Sequence, residues 1–441
     1  MESWMELNIK SVIDNIVFHL TGDKYKNSSI IKINNENLCA NGELYFLCNF
    51  KAWKSISTCT KNCTSILQHF IHIHGMTRDD IDAEVTEEQI FKQLILKSSS
   101  WPIRIQQCML QRERVCLFLN REDIITKSIR MVVEHGMMFG KTQSTGKTFN
   151  LRYQPDIQSD LTSHRLRLIK NIAAKALSLH GYTLSTEEDC ANKYMFTSKS
   201  EGSVDKGYEK YVCGVVKNCH TNSKEICLTW EQYVKCKMNQ LAELNEHKLL
   251  ESKINNTKKD FFLHNLANAI ITFELMAVKP SRSVVIGNNN FQDNKSSTNN
   301  RGAAFVLYNT ARIATIIMKY KEKVSCGNYP SLPNIENVDF SQLHEEDEWE
   351  LIYNFIFGYP QMINDCLKCE TNFCIYPQVL CLFLSRLCQK FSIYYRRIRI
   401  LTEGGDHLIS KMFARLYMLH SLQIVLENAL DILGITPVSR M

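Results

Sequence analysis

Aromatic and arginine side chains are concentrated at two places in the last third of this 441-residue chain. The first place holds Tyr308 and Arg312, and the second holds Tyr395, Arg396, Arg397 and Arg399. Tyrosine rings and guanidinium planes stack on unpaired bases, and guanidinium groups pair with phosphates, so this chemistry suits a single-stranded nucleic acid loop. Structural alternatives stay open, because cations also complement a helix C-terminus and Tyr308 is nearly as compatible with a place in the core.

The charge distribution favours a local anion-binding face. The net charge of +6 is mild, and residues 301–441 hold equal numbers of basic and acidic residues. No acidic residue occurs between Glu370 and Glu403, a window that contains Arg386, Lys390 and the three arginines named above. A neutral region with one concentrated basic face suits a local polyanion better than diffuse charge does.

Four helices are expected to position these side chains. Apolar residues recur with the helical period, Pro377 suits a first helical turn, and Gly434 and Pro437 are stop signals. The predicted helices span residues 303–323, 344–357, 377–401 and 406–433. Residues 303–441 are therefore predicted to form an all-α bundle.

The chain upstream of residue 303 predicts a mixed architecture. Residues 1–150 read as a small α/β domain, with a helix over 4–20, a strand over 115–119 and a helix capped by Asn120. Residues 151–280 predict helices over 163–180, 229–253 and 261–277 and a strand over 211–216. Residues 281–302 are rich in Asn, Ser and Gly and are interpreted as a linker. The whole is predicted to be an α+β multidomain protein.

The composition points to the cytoplasm and away from a membrane. Acidic residues interrupt the N-terminal segment, which lacks a secretory pattern, and the longest apolar run in the C-terminal third covers only residues 379–384. The 17 cysteines are spread over the whole length. They are interpreted as reduced, with Cys381 and Cys388 on an apolar helix face.

Three motifs suggest nucleotide or metal binding, but none of them is a good match to such a site. Five residues, where a phosphate-binding loop has four, separate the glycines of the segment 140–148, so a plain loop is preferred to a nucleotide site. Cys366, Cys369 and Cys374 supply a single C-x-x-C pair, whereas structural zinc usually takes two. The histidines at positions 69, 72 and 74 are interpreted as surface residues. We therefore predict no catalytic residue, no cofactor and no metal.

The last 140 residues resemble the arginyl-tRNA synthetase family at three ordered places. At the C-terminus, a helix is followed by a Leu433-Gly434 turn and the chain ends in Arg-Met. The predicted helix over 303–323 contains Tyr-Asn-Thr-Ala-Arg-Ile, starting at Tyr308. The predicted helix over 377–401 contains Phe391, followed by Tyr394 and the arginines. The resemblance implies a DALR anticodon-binding domain that contacts the anticodon loop of an arginine tRNA. The residues it implies as tRNA contacts are Tyr308, Asn309, Arg312, Tyr395, Arg396, Arg397, Arg399 and Met441.

The upstream resemblance is weaker and lacks the catalytic signatures. Residues 115–120 are similar to the end of that family's N-terminal domain, which contacts the tRNA elbow. His164 and Arg167 lie where the family carries its His-x-Gly-His signature, but the partner histidine and the glycine are missing, and no Lys-Met-Ser-Lys-Ser occurs. Loss of one preorganised donor costs about 10²–10³ in rate. The resemblance thus implies a vestigial, non-catalytic synthetase-like region over 151–280.

A DALR-like C-terminal domain joined to a synthetase-like region without catalytic signatures resembles a non-catalytic branch of the arginyl-tRNA synthetase family. The resemblance implies an adaptor that recognises arginine tRNAs and presents them to a cytidine-N3 tRNA methyltransferase. Two alternatives stay open: a divergent arginyl-tRNA synthetase, and a helical scaffold that binds only proteins.

Overall fold

The computed structural model describes most of the chain, in ten segments. They are residues 7–24, 29–57, 63–74, 87–187, 190–202, 205–244, 256–287, 302–369, 372–402 and 405–437. Contacts divide the chain into two compact units. The N-terminal unit comprises Met1–Met131 together with Asp339–Phe357, and the C-terminal unit comprises Val132–Val338 together with Gly358–Met441.

An antiparallel sheet forms the centre of the N-terminal unit. Its four strands, in the order β1-β2-β4-β3, are β1 (Lys32–Ile33), β2 (Leu44–Leu47), β3 (Ile105–Gln111) and β4 (Arg114–Leu119). The helices are α1 (Ile9–Thr21), α2 (Leu38–Asn41), α3 (Ile66–Ile73), α4 (Glu87–Ser98) and α5 (Arg121–His135). The predicted strand over 115–119 is confirmed, and so is the helix after Asn120, whose side chain accepts a hydrogen bond from the amide of Asp123 at 2.9 Å.

Residues from far along the chain complete this unit. The helix α10 (Glu346–Leu351) continues as a π-helix (Ile352–Phe357), and the indole of Trp349 donates to the buried carboxylate of Glu43 at 2.8 Å. The prediction of one regular helix over 344–357 within a C-terminal bundle is therefore wrong. Its apolar positions instead supply core residues to the N-terminal unit, where Trp349 is 1% exposed.

A parallel sheet and three helices form the first part of the C-terminal unit. The strands, in the order β6-β5-β7-β8, are β5 (Thr148–Tyr153), β6 (Thr183–Leu184), β7 (Asn192–Thr197) and β8 (Glu209–Val212). A separate parallel pair consists of β9 (Val216–Asn218) and β10 (Val284–Ile286). The helices are α6 (Asp160–Leu179), α7 (Trp230–Leu244) and α8 (Asn256–Met276).

Two details differ from the sequence-based predictions. The strand predicted over 211–216 is divided into β8 and β9, because the chain between them passes so close to the backbone of Arg282 that a Cβ at Gly214 would lie 2.3 Å from the Arg282 carbonyl carbon. The linker predicted over 281–302 opens with β10, since three β-branched residues find a partner in β9. Residues 288–301 of that linker lie outside the described residues.

Four helices and a short hairpin form the rest of the C-terminal unit. They are α9 (Ala303–Ser325), α11 (Tyr359–Cys366), α12 (Pro377–Arg397) and α13 (Asp406–Leu433), with β11 (Leu367–Lys368) paired to β12 (Cys374–Ile375). Three predicted helices are confirmed, although α12 ends at Arg397 because Ile398 turns to extended backbone. The helix α11 and the hairpin are not predicted, so this region is not purely helical. None of the described helices is long and apolar enough to cross a membrane.

Candidate nucleic-acid interface

A cleft of about 660 Å³ lies between α9 and the end of α12. Its polar lining consists of Tyr308, Arg312, Thr315 and Lys319 from α9, and Tyr395, Arg396, Arg397 and Arg399 from α12 and the residues after it. The two places singled out by residue type in the sequence therefore face each other across one cavity. The helices α9 and α12 pack against each other and form its walls.

Arg312 lies between two tyrosine rings at the centre of this cleft. Its guanidinium carbon is 4.5 Å from the centroid of Tyr308 and 4.8 Å from that of Tyr395. One guanidinium nitrogen also donates a hydrogen bond of 2.6 Å to the Tyr308 hydroxyl. A cation over an aromatic face is attracted by the ring quadrupole. These contacts bring three groups that can stack on bases together in one place.

Both tyrosines are accessible to a ligand. Tyr308 is 47% exposed and Tyr395 is 39% exposed, whereas the neighbouring Tyr394 is fully buried in the helical core. A core role for Tyr308 is thus excluded, and each ring presents surface on which a base could stack.

The three arginines after Tyr395 are exposed at the mouth of the cleft. The Nε of Arg396 donates to the Ser392 carbonyl at 3.2 Å, within the last turn of α12. The carbonyl of Arg399 accepts a hydrogen bond of 3.2 Å from the buried Arg415. The backbone at Arg399 is therefore anchored, while its own side chain stays at the surface.

Of the two remaining predicted contacts, only Asn309 can be placed, and it lies beneath the group, where its side-chain oxygen accepts a hydrogen bond of 3.5 Å from Arg312. Asn309 is completely buried, and its side-chain amide donates to the Phe305 carbonyl at 2.8 Å, one helical turn back. Its position on α9 turns it into the core, so it offers no surface to a ligand. Met441 lies outside the described residues.

Sequence reasoning missed Thr315 and Lys319. They continue the face of Tyr308 and Arg312 at helical spacing, which was the available signal. Lys319 adds an exposed cation to the cleft, opposite the arginines of α12.

His164 and Arg167, the vestigial signature residues, lie on α6 and contact each other. A guanidinium nitrogen of Arg167 approaches Nδ1 of His164 at 2.7 Å, and the imidazole stacks on Trp230 with ring centroids 3.2 Å apart. Burial, and then the charge of Arg167, lowers the pKa of His164 to about 3. The imidazole is therefore neutral at physiological pH, with one face covered by the indole.

Arg165, which lies between these two residues in the sequence, has a structural role that sequence reasoning missed. It is completely buried, and burial lowers its pKa to about 10. Its guanidinium donates to four main-chain carbonyls, those of Gly214 at 2.5 Å, Arg282 at 2.8 Å, Lys279 at 3.2 Å and Leu275 at 3.3 Å. It thereby joins α6 to the end of α8 and to the crossing at Gly214.

Beyond the carboxyl end of β5, polar side chains form hydrogen bonds with one another. The Asp156 carboxylate accepts hydrogen bonds of 2.6 Å from Lys224 and from Ser198. Burial acts to raise the pKa of Asp156, but these hydrogen bonds outweigh it and hold the pKa below its usual value. Parallel α/β sheets bind ligands outside the carboxyl ends of their strands. Here that position holds an internal ion pair.

The prediction that His69 lies at the surface is wrong, because its side chain is 4% exposed and hydrogen-bonded to Ser57 at 3.1 Å.

The phosphate-loop-like and cysteine motifs are also explained by contacts within the fold. In the segment 140–148, the amide of Thr142 donates to the Leu179 carbonyl at 2.7 Å and that of Thr145 to the Gly181 carbonyl at 2.9 Å. These amides are therefore not presented to a phosphate. Burial raises the pKa of the Cys366 thiol to about 12, so this cysteine stays protonated.

Sequence comparison assigns the last third of the chain to a known domain. The model of the DALR anticodon binding domain matches residues 306–441. The chain is 30% identical over 234 residues to the DALR anticodon-binding domain-containing protein 3 of Mus musculus, a match that covers 52% of this chain and 42% of the mouse protein. The chain thus spans less than half the length of the curated relatives it matches first.

Structure comparison gives the fold of the whole. An arginyl-tRNA synthetase from Plasmodium falciparum superposes with a TM-score of 0.63 at 9% identity, covering 100% of this chain and 99% of that chain. The arginyl-tRNA synthetase of Thermus thermophilus superposes with a TM-score of 0.59 at 8% identity, covering 98% of this chain and 100% of that chain. At such low identity these likenesses establish the fold alone. Residues 306–441 are therefore a DALR anticodon binding domain, in a chain similar to DALR anticodon-binding domain-containing protein 3 and built on the fold of the arginyl-tRNA synthetases.

Proposed function

We propose that this protein binds tRNA and holds the anticodon loop in the cleft between α9 and α12. The observation that carries the proposal is the Tyr308–Arg312–Tyr395 stack at the centre of a cleft rimmed by exposed arginines. Loop bases stack on the tyrosine rings, and the arginines and Lys319 pair with the bent phosphate backbone. The DALR domain match over these residues supports the same ligand.

The finer proposal is that the protein is a cytoplasmic adaptor for arginine tRNAs. It recognises them through the anticodon loop and presents them to a cytidine-N3 tRNA methyltransferase. This step rests on the family resemblance of the sequence alone. The chemistry of the cleft does not select it, because stacking rings and arginines suit any splayed RNA loop. Met441 is retained as a proposed contact.

We further propose that the protein does not aminoacylate tRNA. His164 is neutral, stacked beneath Trp230 and engaged by Arg167, so it offers no charge to the phosphates of a nucleotide. The carboxylate of Asp156 is paired with Lys224. The mouse, rat and zebrafish relatives are named for their DALR anticodon-binding domain and not as tRNA ligases.

The decisive experiment measures binding of an anticodon stem-loop across a range of salt concentrations. Replacing Arg396, Arg397 and Arg399 by alanine should weaken binding by several kcal/mol and flatten the salt dependence by about 0.7 for each phosphate that is no longer neutralised. The matched control replaces Arg386 and Lys321, exposed cations on the same two helices that do not line the cleft. Unchanged affinity and salt slope in the folded triple variant would exclude this face.

Two further measurements separate the alternatives. Sequencing of RNA that co-purifies with the protein should show enrichment of arginine tRNAs, and equal retention of all tRNAs would reduce the protein to a nonspecific binder. Robust charging of tRNA with arginine and ATP would instead identify a divergent synthetase. A stem-loop left entirely free would favour the scaffold.

A further inference from the structure

A second, smaller cleft of about 260 Å³ lies elsewhere in the C-terminal unit. It is bounded by the segment after α5, by α6, by Tyr359 and by the end of α13. Apolar side chains line much of it, and three of them are unusually exposed: Met137 (55%), Met138 (56%) and Leu184 (43%). Exposed apolar residues gathered around a concavity mark an interaction site more often than single ones do.

Two buried polar groups in the lining have no partner among the described residues. The hydroxyl of Tyr359 and the side-chain oxygen of Asn428 both lack a hydrogen bond, although Tyr359 is completely buried and Asn428 is 5% exposed. The other end of the Asn428 amide donates to the Gly136 carbonyl at 3.2 Å, which fixes the oxygen as the free acceptor. Buried polar groups are rarely left unpaired, because each one costs free energy.

Tyr359 is held firmly in this position. Its ring stacks on Phe139 with centroids 5.7 Å apart, and the backbone at Gly140 passes so close that a Cβ there would lie 2.9 Å from the ring. Burial, then the nearby Cys366 and Asp431, raises the pKa of the hydroxyl, so the group keeps its proton and acts as a donor. Asp431 itself lines the cleft.

We propose that this cleft binds a short segment of a partner protein, seating one large apolar side chain and the peptide amide beside it. A peptide group supplies both missing partners, since its carbonyl accepts from Tyr359 and its N–H donates to Asn428. Methionine side chains adapt to varied apolar shapes and are common at peptide-binding surfaces. The volume suits a single anchor residue, below the range of about 300–1,000 Å³ typical of small-molecule sites.

The charges at the rim favour an acidic neighbour for that anchor. Lys175 is paired with Asp431 at 2.8 Å, and Lys141, which also lines the cleft, is exposed. The rim therefore carries one cation in excess, which attracts a carboxylate next to the apolar residue. A nucleic acid fits less well, because the exposed part of the lining holds aliphatic and charged side chains and offers no accessible aromatic ring for a base.

Methyl NMR of the full chain, labelled at its methionine methyl groups, tests this proposal. The probe is a short capped peptide with a leucine between glutamates, and the same peptide with alanine in place of leucine is the ligand control. The leucine peptide should shift the methyl signals of Met137 and Met138, and the alanine peptide should bind at least about tenfold more weakly, as removal of an apolar anchor predicts.

Two variants and a matched control complete the design. Met138→Glu should abolish binding by like-charge repulsion, and Tyr359→Phe should weaken it about threefold to tenfold, the range for one neutral hydrogen bond. Met109→Glu places the same charge on an exposed methionine of the N-terminal unit and should change nothing. Absence of any shift, equal binding of both peptides, or shifts produced by an anticodon stem-loop would each overturn the proposal.

Discussion

The cleft between α9 and α12 and the region around α6 use similar residues in opposite ways. Each contains an arginine engaged with neighbouring groups: Arg312 with Tyr308 and Tyr395, and Arg165 with four carbonyls. Arg312 is partly exposed between rings that reach solvent, whereas Arg165 is completely buried. The cleft presents polar and aromatic side chains to solvent, whereas the polar groups around α6 are hydrogen-bonded to one another.

This difference is the one that the proposed function predicts for a synthetase fold that binds tRNA without aminoacylating it. A catalytic crevice needs groups that are preorganised and unsatisfied until the substrate arrives. Around α6 the polar side chains are instead paired with one another, as Asp156 is with Lys224. Groups that are paired internally should therefore matter for stability, and groups that are presented to solvent should matter for binding.

The largest effect should come from Arg165. Arg165→Ala leaves four main-chain carbonyls without their donor and opens a cavity, so the free energy of unfolding should fall by about 3–5 kcal/mol. Urea denaturation measures it. The control Arg167→Ala, two residues along and on the exposed side of the helix, should cost less than about 0.5 kcal/mol. Equal losses of stability in the two variants would show that burial of Arg165 does not distinguish this region.

The next effect concerns binding at the cleft. Tyr395→Ala removes a stacking face and one side of the Arg312 sandwich, so affinity for an anticodon stem-loop should fall by about 1–3 kcal/mol. The free energy of unfolding should change far less, since the ring is 39% exposed. Fluorescence anisotropy and urea denaturation on the same preparation check both. A Tyr395→Ala variant that loses stability but keeps its affinity would show that Tyr395 supports the fold and does not contact the RNA.

A pH effect should follow from His164. Its pKa is lowered to about 3 in the folded protein, below its unfolded value, so the unfolded chain binds more protons between those values. The stabilisation from neutral His164 is complete above the unfolded pKa and declines as pH falls towards the folded pKa. Between pH 7.5 and 5 the decline should be about 1–2 kcal/mol.

The variant His164→Gln isolates this contribution, since glutamine keeps an acceptor for Arg167 and does not titrate. The difference in unfolding free energy between wild type and variant should shrink as pH falls through that window. A difference independent of pH would mean that the imidazole is hydrated and titrates normally.

The smallest effect should come from Lys319. Lys319→Ala should remove one phosphate contact, lowering affinity by less than about 1 kcal/mol and the salt slope by about 0.7. Lys321→Ala, an exposed cation on the same helix that does not line the cleft, is the matched control and should leave both unchanged. Equal slopes in the two variants would indicate that only α12 contacts the RNA backbone.

Local sequence signals were sufficient for the helices around the cleft. Pro377 and the periodic apolar residues located α12, and the 406–433 helix matches its predicted bounds. The residue types of Tyr308, Arg312 and Tyr395 were enough to single them out. Their meeting in one cleft depends on contacts between α9 and α12, which periodicity does not contain.

Other features depend on contacts that are distant in sequence. The side chain of Asn309 points into the core because of how α9 packs, although its neighbour Tyr308 points out. The strand β10 lies in a stretch whose composition predicts a linker, and β9 is the partner that makes it a strand. Arg165 likewise has acceptors more than a hundred residues away at Leu275 and Lys279.

The hydrogen bond between Trp349 and Glu43 has a consequence for biosynthesis. The two residues are 306 positions apart, so ribosomes adding about 5–20 residues per second need on the order of tens of seconds to connect them. Until then the nascent N-terminal unit exposes the apolar surface that the late segment will cover. We expect a polypeptide released before residue 339 to require chaperones or to be degraded.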